Sequence, residues 1–317
     1  MTLVRGMLQR SEPTFEAASA VSVGKRAYQE DAVLFDCPVG GETGLVVLSD
    51  GMGGHAAGDV ASSIVLTEVF SELKLQSTRQ EEDETGVRTL LMRAAHGAND
   101  CIRAYVDEQP DALGMGATLV AGVLRGPFLH WISIGDSPLL LFRGGELIRL
   151  NEEHSFGQQM DSMVEAGLMT REVADHHPDR NCLTSVVGGG GIAQIDCPDI
   201  PFELFDEDIL IFASDGLQFL PDSRIAEVLG DWQKTPSTSI ATQLLREIER
   251  LNDPDQDNVS IVVVKVAMAR APMARSPEPR PQRAPVTPVR PEPLRANLDV
   301  KSADPGGRSV LVLRGAP

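Results

Sequence analysis

The chain has 317 residues, with 46 Asp and Glu against 28 Lys and Arg, for a net charge of −18. A body this acidic is repelled by a phosphate backbone, which excludes a nucleic-acid binder. No apolar run approaches the roughly 18 residues of a membrane span, the first residues lack the apolar core of a signal peptide, and four scattered cysteines (Cys37, Cys101, Cys182, Cys197) read as buried thiols of a cytoplasmic protein.

In chain order, a short strand is expected at Val21-Ser-Val, then a polar loop from Gly24 to Ala32 running into Val33-Leu-Phe. Gly44-Leu-Val-Val-Leu-Ser49 has the apolar, β-branched character of a buried strand and stops at Asp50-Gly-Met-Gly-Gly-His55. Helical spacing of Val60, Ile64, Val69 and Leu73 predicts a helix over 56–74, and Leu90, Leu91, Ala94, Ala98, Ile102 and Tyr105 predict another over 87–106. Two hairpins follow, one turning at Gly126-Pro127 and one at Gly144-Gly145. Residues 151–185 are polar, with a helix-like piece at 158–166 and His176-His177 in a loop. A buried strand at 208–214, a helix at 240–251 and a closing strand after Asp257 complete the body. Strands that arrive in hairpins make antiparallel sheets, so the class is α+β rather than doubly wound.

The last fifty residues differ in kind. They hold nine Lys and Arg against four Asp and Glu, ten of the 21 prolines and no aromatic residue, leaving −23 on residues 1–267. Such a segment cannot bury enough apolar surface to offset its ordering entropy and is expected to be disordered. The domain reading is therefore an N-terminal extension over 1–19, a folded domain over 20–267 and a basic, Pro-rich tail over 268–317.

Three apolar strands end in aspartate, at Ser49-Asp50-Gly51, Gly135-Asp136-Ser137 and Ser214-Asp215-Gly216. Asp257 opens the last strand, and Glu30-Asp31 follows the first. Any one Asp-Gly is explained by turn chemistry; five coincidences in one chain are harder to dismiss. Clustered carboxylates repel unless a cation neutralises them, and an all-oxygen set suits Mg²⁺ or Mn²⁺ rather than zinc. Gly51, without a Cβ, would let its carbonyl approach such an ion. Arg26 could supply a forked guanidinium to a phosphate. Neither a nucleophile elbow nor a phosphate-binding loop ending in Lys-Ser/Thr occurs, which favours an activated water as nucleophile.

The ordered set Arg26-x-x-x-Glu30-Asp31, Asp50-Gly-Met-Gly-Gly-His55, Gly116-Ala-Thr, Gly135-Asp-Ser, His154-Ser, Ser214-Asp-Gly and Asp257-Asn-Val-Ser resembles the bacterial PP2C (PPM) metal-dependent serine/threonine protein phosphatases. The resemblance implies a four-layer α-β-β-α sandwich of two antiparallel sheets flanked by helix pairs. It also implies two divalent cations, Mn²⁺ or Mg²⁺, and a third, weaker one. By position, Asp50 would bridge two ions with the Gly51 carbonyl assisting. Asp215 and Asp257 would complete the first shell, with Glu30 and Asp31 in it or acting through waters. Asp136 with Asp215 would take the third ion, and Arg26 the substrate phosphate. A metal-bridging hydroxide would attack phosphorus in line without a phosphoenzyme. His55 is the candidate acid for the leaving oxygen, because its pKa can lie near the working pH.

The usual Gly-Asp-Ser-Arg of that family is Gly135-Asp-Ser-Pro138, which removes a donor and a guanidinium. Expected partners are phosphorylated proteins and an opposing serine/threonine kinase, with no nucleic acid, no membrane and a monomeric chain. The alternative is a pseudophosphatase scaffold that binds partners through the same fold without turnover.

Overall fold

The computed structural model of the chain describes residues 13–53, 56–77 and 84–268. Along it run β1 (Pro13–Ser22), β2 (Asp31–Asp36), β3 (Thr43–Met52), α1 (Ala56–Ser77), α2 (Glu84–Glu108), β4 (Gly116–Ala117), β5 (Leu119–Arg125) and β6 (Phe128–Ile134). Then come β7 (Leu139–Arg143), β8 (Glu146–Arg149), α3 (Phe156–Glu165), α4 (Arg171–Asp175) and β9 (Phe202–Glu203). The last elements are β10 (Ile209–Ala213), α5 (Asp222–Trp232), α6 (Ser237–Leu251) and β11 (Val259–Met268).

The strands form two antiparallel sheets. One has the order β1-β11-β10-β7-β8; the other has β2-β3-β5-β6-β9, with β4 paired to β3. Alternation along each central strand divides its side chains between two cores. Val46 and Leu48 of β3, with Val262 and Val264 of β11, fill the space between the sheets with Phe15, Leu141 and Phe212. Leu45 and Val47 point the other way, onto Ala61, Val65, Val69 and Leu73 of α1 and onto α2. Ile261 and Val263 turn outward onto Ile225 and Leu229 of α5 and Ile240, Leu244 and Ile248 of α6. With both faces covered, these strands read as continuous apolar runs, and the result is the expected α-β-β-α sandwich.

Several boundaries differ from the sequence reading. The first strand begins at Pro13 and pairs along its whole length with β11, from Pro13↔Met268 to Ser22↔Val259. A domain edge at residue 20 would thus cut a strand, one that is obscured because its middle, Glu16-Ala-Ala-Ser-Ala, carries small residues where apolar ones would announce it. β11 extends through Met268, and the rest of the expected tail, 269–317, lies outside the described residues. In α1 the fully buried stripe is one residue on from Val60 and Ile64, which pack at its margin. Helix α5, not anticipated, is short and starts directly after Pro221. Of the cysteines, only Cys197 is buried and Cys182 is exposed; all four are free thiols. No described helix is long and apolar enough to cross a membrane.

Candidate active site

The acidic residues gather where strands from both sheets end on one side of the sandwich. Asp31 opens β2 and Asp50 lies near the end of β3, and the two are direct partners across the antiparallel pair. Asp136 follows β6, Asp215 follows β10 and Asp257 precedes β11. Like charges directly opposite on a sheet are destabilising unless something offsets them.

The backbone around these residues is held by polar side chains. Thr118 and Asp50 exchange bonds: the Thr118 amide donates to the Asp50 carbonyl (2.8 Å) and the Asp50 amide to Thr118 Oγ1 (3.0 Å). Thr118 Oγ1 also lies 2.8 Å from Ser137 Oγ, beside Asp136. Asn258 is buried and closes the 23–30 loop: its Oδ1 accepts from the Glu30 amide (2.7 Å), and its Nδ2 donates to the carbonyls of Val23 (2.9 Å) and Tyr28 (3.0 Å). Ser214 links the sheets, donating to Asp31 Oδ2 at 2.8 Å while accepting from the Ser260 amide at 3.0 Å. Pro138 leaves its loop with no guanidinium of its own. Arg149 reaches in instead and donates to the Asp136 carbonyl at 2.7 Å.

Gly51 has a reason to be glycine beyond any ligand: a Cβ there would stand 2.0 Å from the Gly58 carbonyl oxygen in the first turns of α1. Gly58 in turn gives room to Glu30, whose Oε1 would lie 2.5 Å from a Cβ at that position. The close approach fixes the strand-to-helix junction against the Glu30 side chain.

Burial and mutual repulsion set the electrostatics. Burial pushes the Asp31 carboxyl up to about 7; the hydrogen bond from the Ser214 hydroxyl pulls it back, and the charges of Asp215 and Asp257 add to the rise. Asp50 is driven well above the carboxylate range by burial and then by Asp31, Asp215, Asp136 and Asp257. Asp136 rises to about 7 through burial, Asp215 and Glu153. Asp215 is raised as well, by burial and by Asp257. Asp31 Oδ1 is buried and accepts no hydrogen bond among the described residues. This donor set contains carboxylates and carbonyls but no thiolate; nearby, His154 Nδ1 accepts from the Gly135 amide at 3.1 Å, while its buried Nε2 has no hydrogen-bond partner among the described residues. Hard divalent cations fit such a set. Among the described residues no three His, Cys, Asp or Glu side chains form a ready-made ligand triad. The fit therefore rests on the shared repulsion, the orphaned oxygen and the donor chemistry.

Arg26 stands at the exposed margin, its Nη2 2.5 Å from Asp257 Oδ2. The structure thus brings Arg26, Glu30, Asp31, Asp50, Gly51, Asp136, Asp215 and Asp257 into one region. His55 lies outside the described residues. His176 and His177 make local hydrogen bonds, His176 Nδ1 with the Glu172 carbonyl of α4 and His177 Nδ1 accepting from the Asp179 amide. Sequence reasoning missed the supporting roles of Thr118, Asn258, Ser214 and Arg149.

The sequence profile described as protein phosphatase 2C matches residues 23–250. The chain belongs to the protein phosphatase 2C family. It is a metal-dependent serine/threonine protein phosphatase by that membership. It is 32% identical over 189 residues to the serine/threonine phosphatase stp of Listeria monocytogenes, covering 58% of this chain and 71% of that protein. It is 34% identical over 226 residues to the serine/threonine protein phosphatase PstP of Mycobacterium tuberculosis, covering 70% of this chain and 40% of that longer protein. A crystal structure of the M. tuberculosis phosphatase PstP/Ppp superposes with a TM-score of 0.64 at 30% identity, over 80% of this chain and 98% of that one. A structure of the PstP catalytic domain in complex with two manganese ions gives a TM-score of 0.64 at 29% identity, over 80% of this chain and 99% of that one.

Proposed function

We propose that this phosphatase acts at the strand ends where its two sheets meet, removing phosphate from phosphoserine and phosphothreonine of proteins. The observation that carries the reading is the convergence of Glu30, Asp31, Asp50, Asp136, Asp215 and Asp257 from separate stretches of chain, with four of the six pushed upward in pKa by burial and one another. Asp50 lies in the middle of this repulsion and would hold the cations together with the Gly51 carbonyl. Asp215 and Asp257 would complete the set, with Glu30 and Asp31 supporting them, and Asp136 with Asp215 would take a weaker third. When bound, Mn²⁺ or Mg²⁺ supplies a water acidic enough to act as nucleophile at neutral pH and neutralises charge on the phosphoryl oxygens.

The chain's own contribution is positioning. Thr118 and Asn258 lock the backbone of Asp50 and of the 23–30 loop, so the carboxylates do not spread under their repulsion. Arg26 is half-exposed and bound to Asp257 by an ion pair of the kind that contributes about 0.2–1 kcal/mol, so it exchanges that partner readily for a phosphate. Water oxygen bonds to phosphorus, the ester P–O bond breaks, and the serine or threonine oxygen leaves with a proton. The assignment of His55 as donor of that proton rests on sequence alone.

The partners that fit are phosphorylated proteins, an opposing serine/threonine kinase being their source, with the chain acting as a monomer in the cytoplasm. The pseudophosphatase alternative finds no support in the site: every expected carboxylate is present, and Pro138 leaves Asp136 in place. The test is phosphate release from a phosphothreonine peptide with Mn²⁺, with and without chelator. Chelator-sensitive turnover is expected; Mn²⁺ binding with no turnover at micromolar enzyme would mean a scaffold.

A further inference from the structure

Arg149, the last residue of β8, reaches two separate segments with one guanidinium. Its Nη2 donates to the Asp136 carbonyl at 2.7 Å and its Nη1 to Glu153 Oε2 at 2.6 Å. The other oxygen of Glu153 accepts from Ser155 Oγ at 2.6 Å, and Ser155 Oγ caps α3 by accepting from the Gln158 amide at 3.1 Å. The start of α3 is fastened to the far end of its own segment as well: the Phe156 amide donates to the Cys182 carbonyl (2.9 Å) and the Gly157 amide to the Arg180 carbonyl (2.8 Å). A continuous polar chain thus runs from the backbone of Asp136 through Arg149, Glu153 and Ser155 into segment 153–182. Between the two ends of that chain opens a pocket of about 340 Å³, with Asp136 and Asp215 on one wall, Glu153, Ser155 and Asn181 on the other, and Phe219 beside them.

We propose that Arg149 is a positioning residue: by clamping the Asp136 carbonyl to the Glu153 carboxylate it fixes the width of this pocket, and the polypeptide flanking a substrate phosphate lies there. The inference rests on the phosphatase reading. A planar fork suits the task because its two amino groups point to two acceptors at once, which a lysine ammonium on a flexible stem does not reproduce. The pocket adjoins the assigned carboxylates, so a substrate held by its phosphate there places neighbouring residues against Asn181 and Phe219. A small aryl phosphate has no such residues and is indifferent to the second wall.

The experiment compares a phosphothreonine peptide with p-nitrophenyl phosphate on the full chain in Mn²⁺, using Arg149→Ala, Arg149→Lys and Glu153→Gln, together with hydrogen exchange of the Phe156, Gly157 and Gln158 amides. Arg149→Ala is expected to lower kcat/KM for the peptide about tenfold, mostly through KM, and for the aryl phosphate much less. Arg149→Lys should recover only part of the loss. Glu153→Gln, which keeps the shape of the side chain, should show the same split in milder form, and the three amides should exchange faster in all variants. Equal losses on both substrates, or unchanged exchange of those amides, would overturn the proposal. Absence of hydrolysis by the unmodified chain would strike the phosphatase reading instead, and the amide exchange would still decide whether the clamp exists.

Discussion

Asp31 and Asp50 stand directly opposite each other across β2 and β3, with a hydroxyl from the other sheet, Ser214 Oγ, donating to one oxygen of Asp31 and the other oxygen left without a hydrogen bond among the described residues. The fold holds together two groups that repel, which is stability given up for a site. Replacing Asp31 by Asn should therefore raise the melting temperature of chelator-treated protein at pH 8, change it little at pH 4, and abolish most phosphatase activity. Thermal unfolding at the two pH values checks the first two outcomes, and Mn²⁺-dependent turnover the third.

The pH dependence follows from the same groups. Asp31 and Asp136 titrate near 7 in the folded chain against 3.8 as the ordinary value. Between those limits the folded chain keeps protons that the unfolded chain has released, so their contribution to stability is full below about 4 and is lost as pH rises through about 7. Divalent cations compete with those protons. The rise in melting temperature on adding Mn²⁺ should be larger at pH 7.5 than at pH 5.5, as differential scanning calorimetry would read; a larger rise at pH 5.5 would contradict the assignment.

Arg26 pairs with Asp257 at the exposed margin, where a single ion pair contributes little to stability. Arg26→Ala should leave the melting temperature within about 3 °C of the parent, keep Mn²⁺ affinity within about twofold, and raise KM for phosphopeptide. Unchanged affinity for inorganic phosphate would remove the phosphate role.

Asn258 satisfies one amide and two carbonyls of the 23–30 loop from a buried position. Asn258→Ala orphans them and should cost about 1–3 kcal/mol in denaturant unfolding. Activity should fall further than stability accounts for, because the loop carries Arg26, Glu30 and Asp31. A variant with parental activity would show that the loop holds its shape without this residue.

Much of the fold could be read from the chain because burial on both sheet faces gives β3, β10 and β11 unbroken apolar runs, and because Leu90, Leu91, Ala94, Ala98 and Ile102 repeat at helical spacing. The aspartates were legible for a related reason: each terminates or opens such a run. What stayed hidden depends on contacts distant in sequence. β1 looks like a linker until Val259–Met268 lies alongside it. Asn258 sits next to Asp257 and reads as a turn residue until three groups from residues 23–30 arrive around its amide. Arg149 looks like the end of a hairpin strand; only the folded chain shows Asp136 and Glu153 on either side of its guanidinium. In the sequence Gly51 suggests access to a cation, whereas in the folded chain its backbone neighbour in space, Gly58, requires glycine there regardless.

The most direct test of the central claim, that these strand-end carboxylates hold the catalytic cations, is a calorimetric titration of Mn²⁺ into the parent chain and into Asp50→Asn. More than one ion per parent chain is expected, with a loss of affinity for at least two of them in the variant, because Asp50 feels the charges of Asp31, Asp136, Asp215 and Asp257 together. Parental stoichiometry and affinity in Asp50→Asn would contradict the claim.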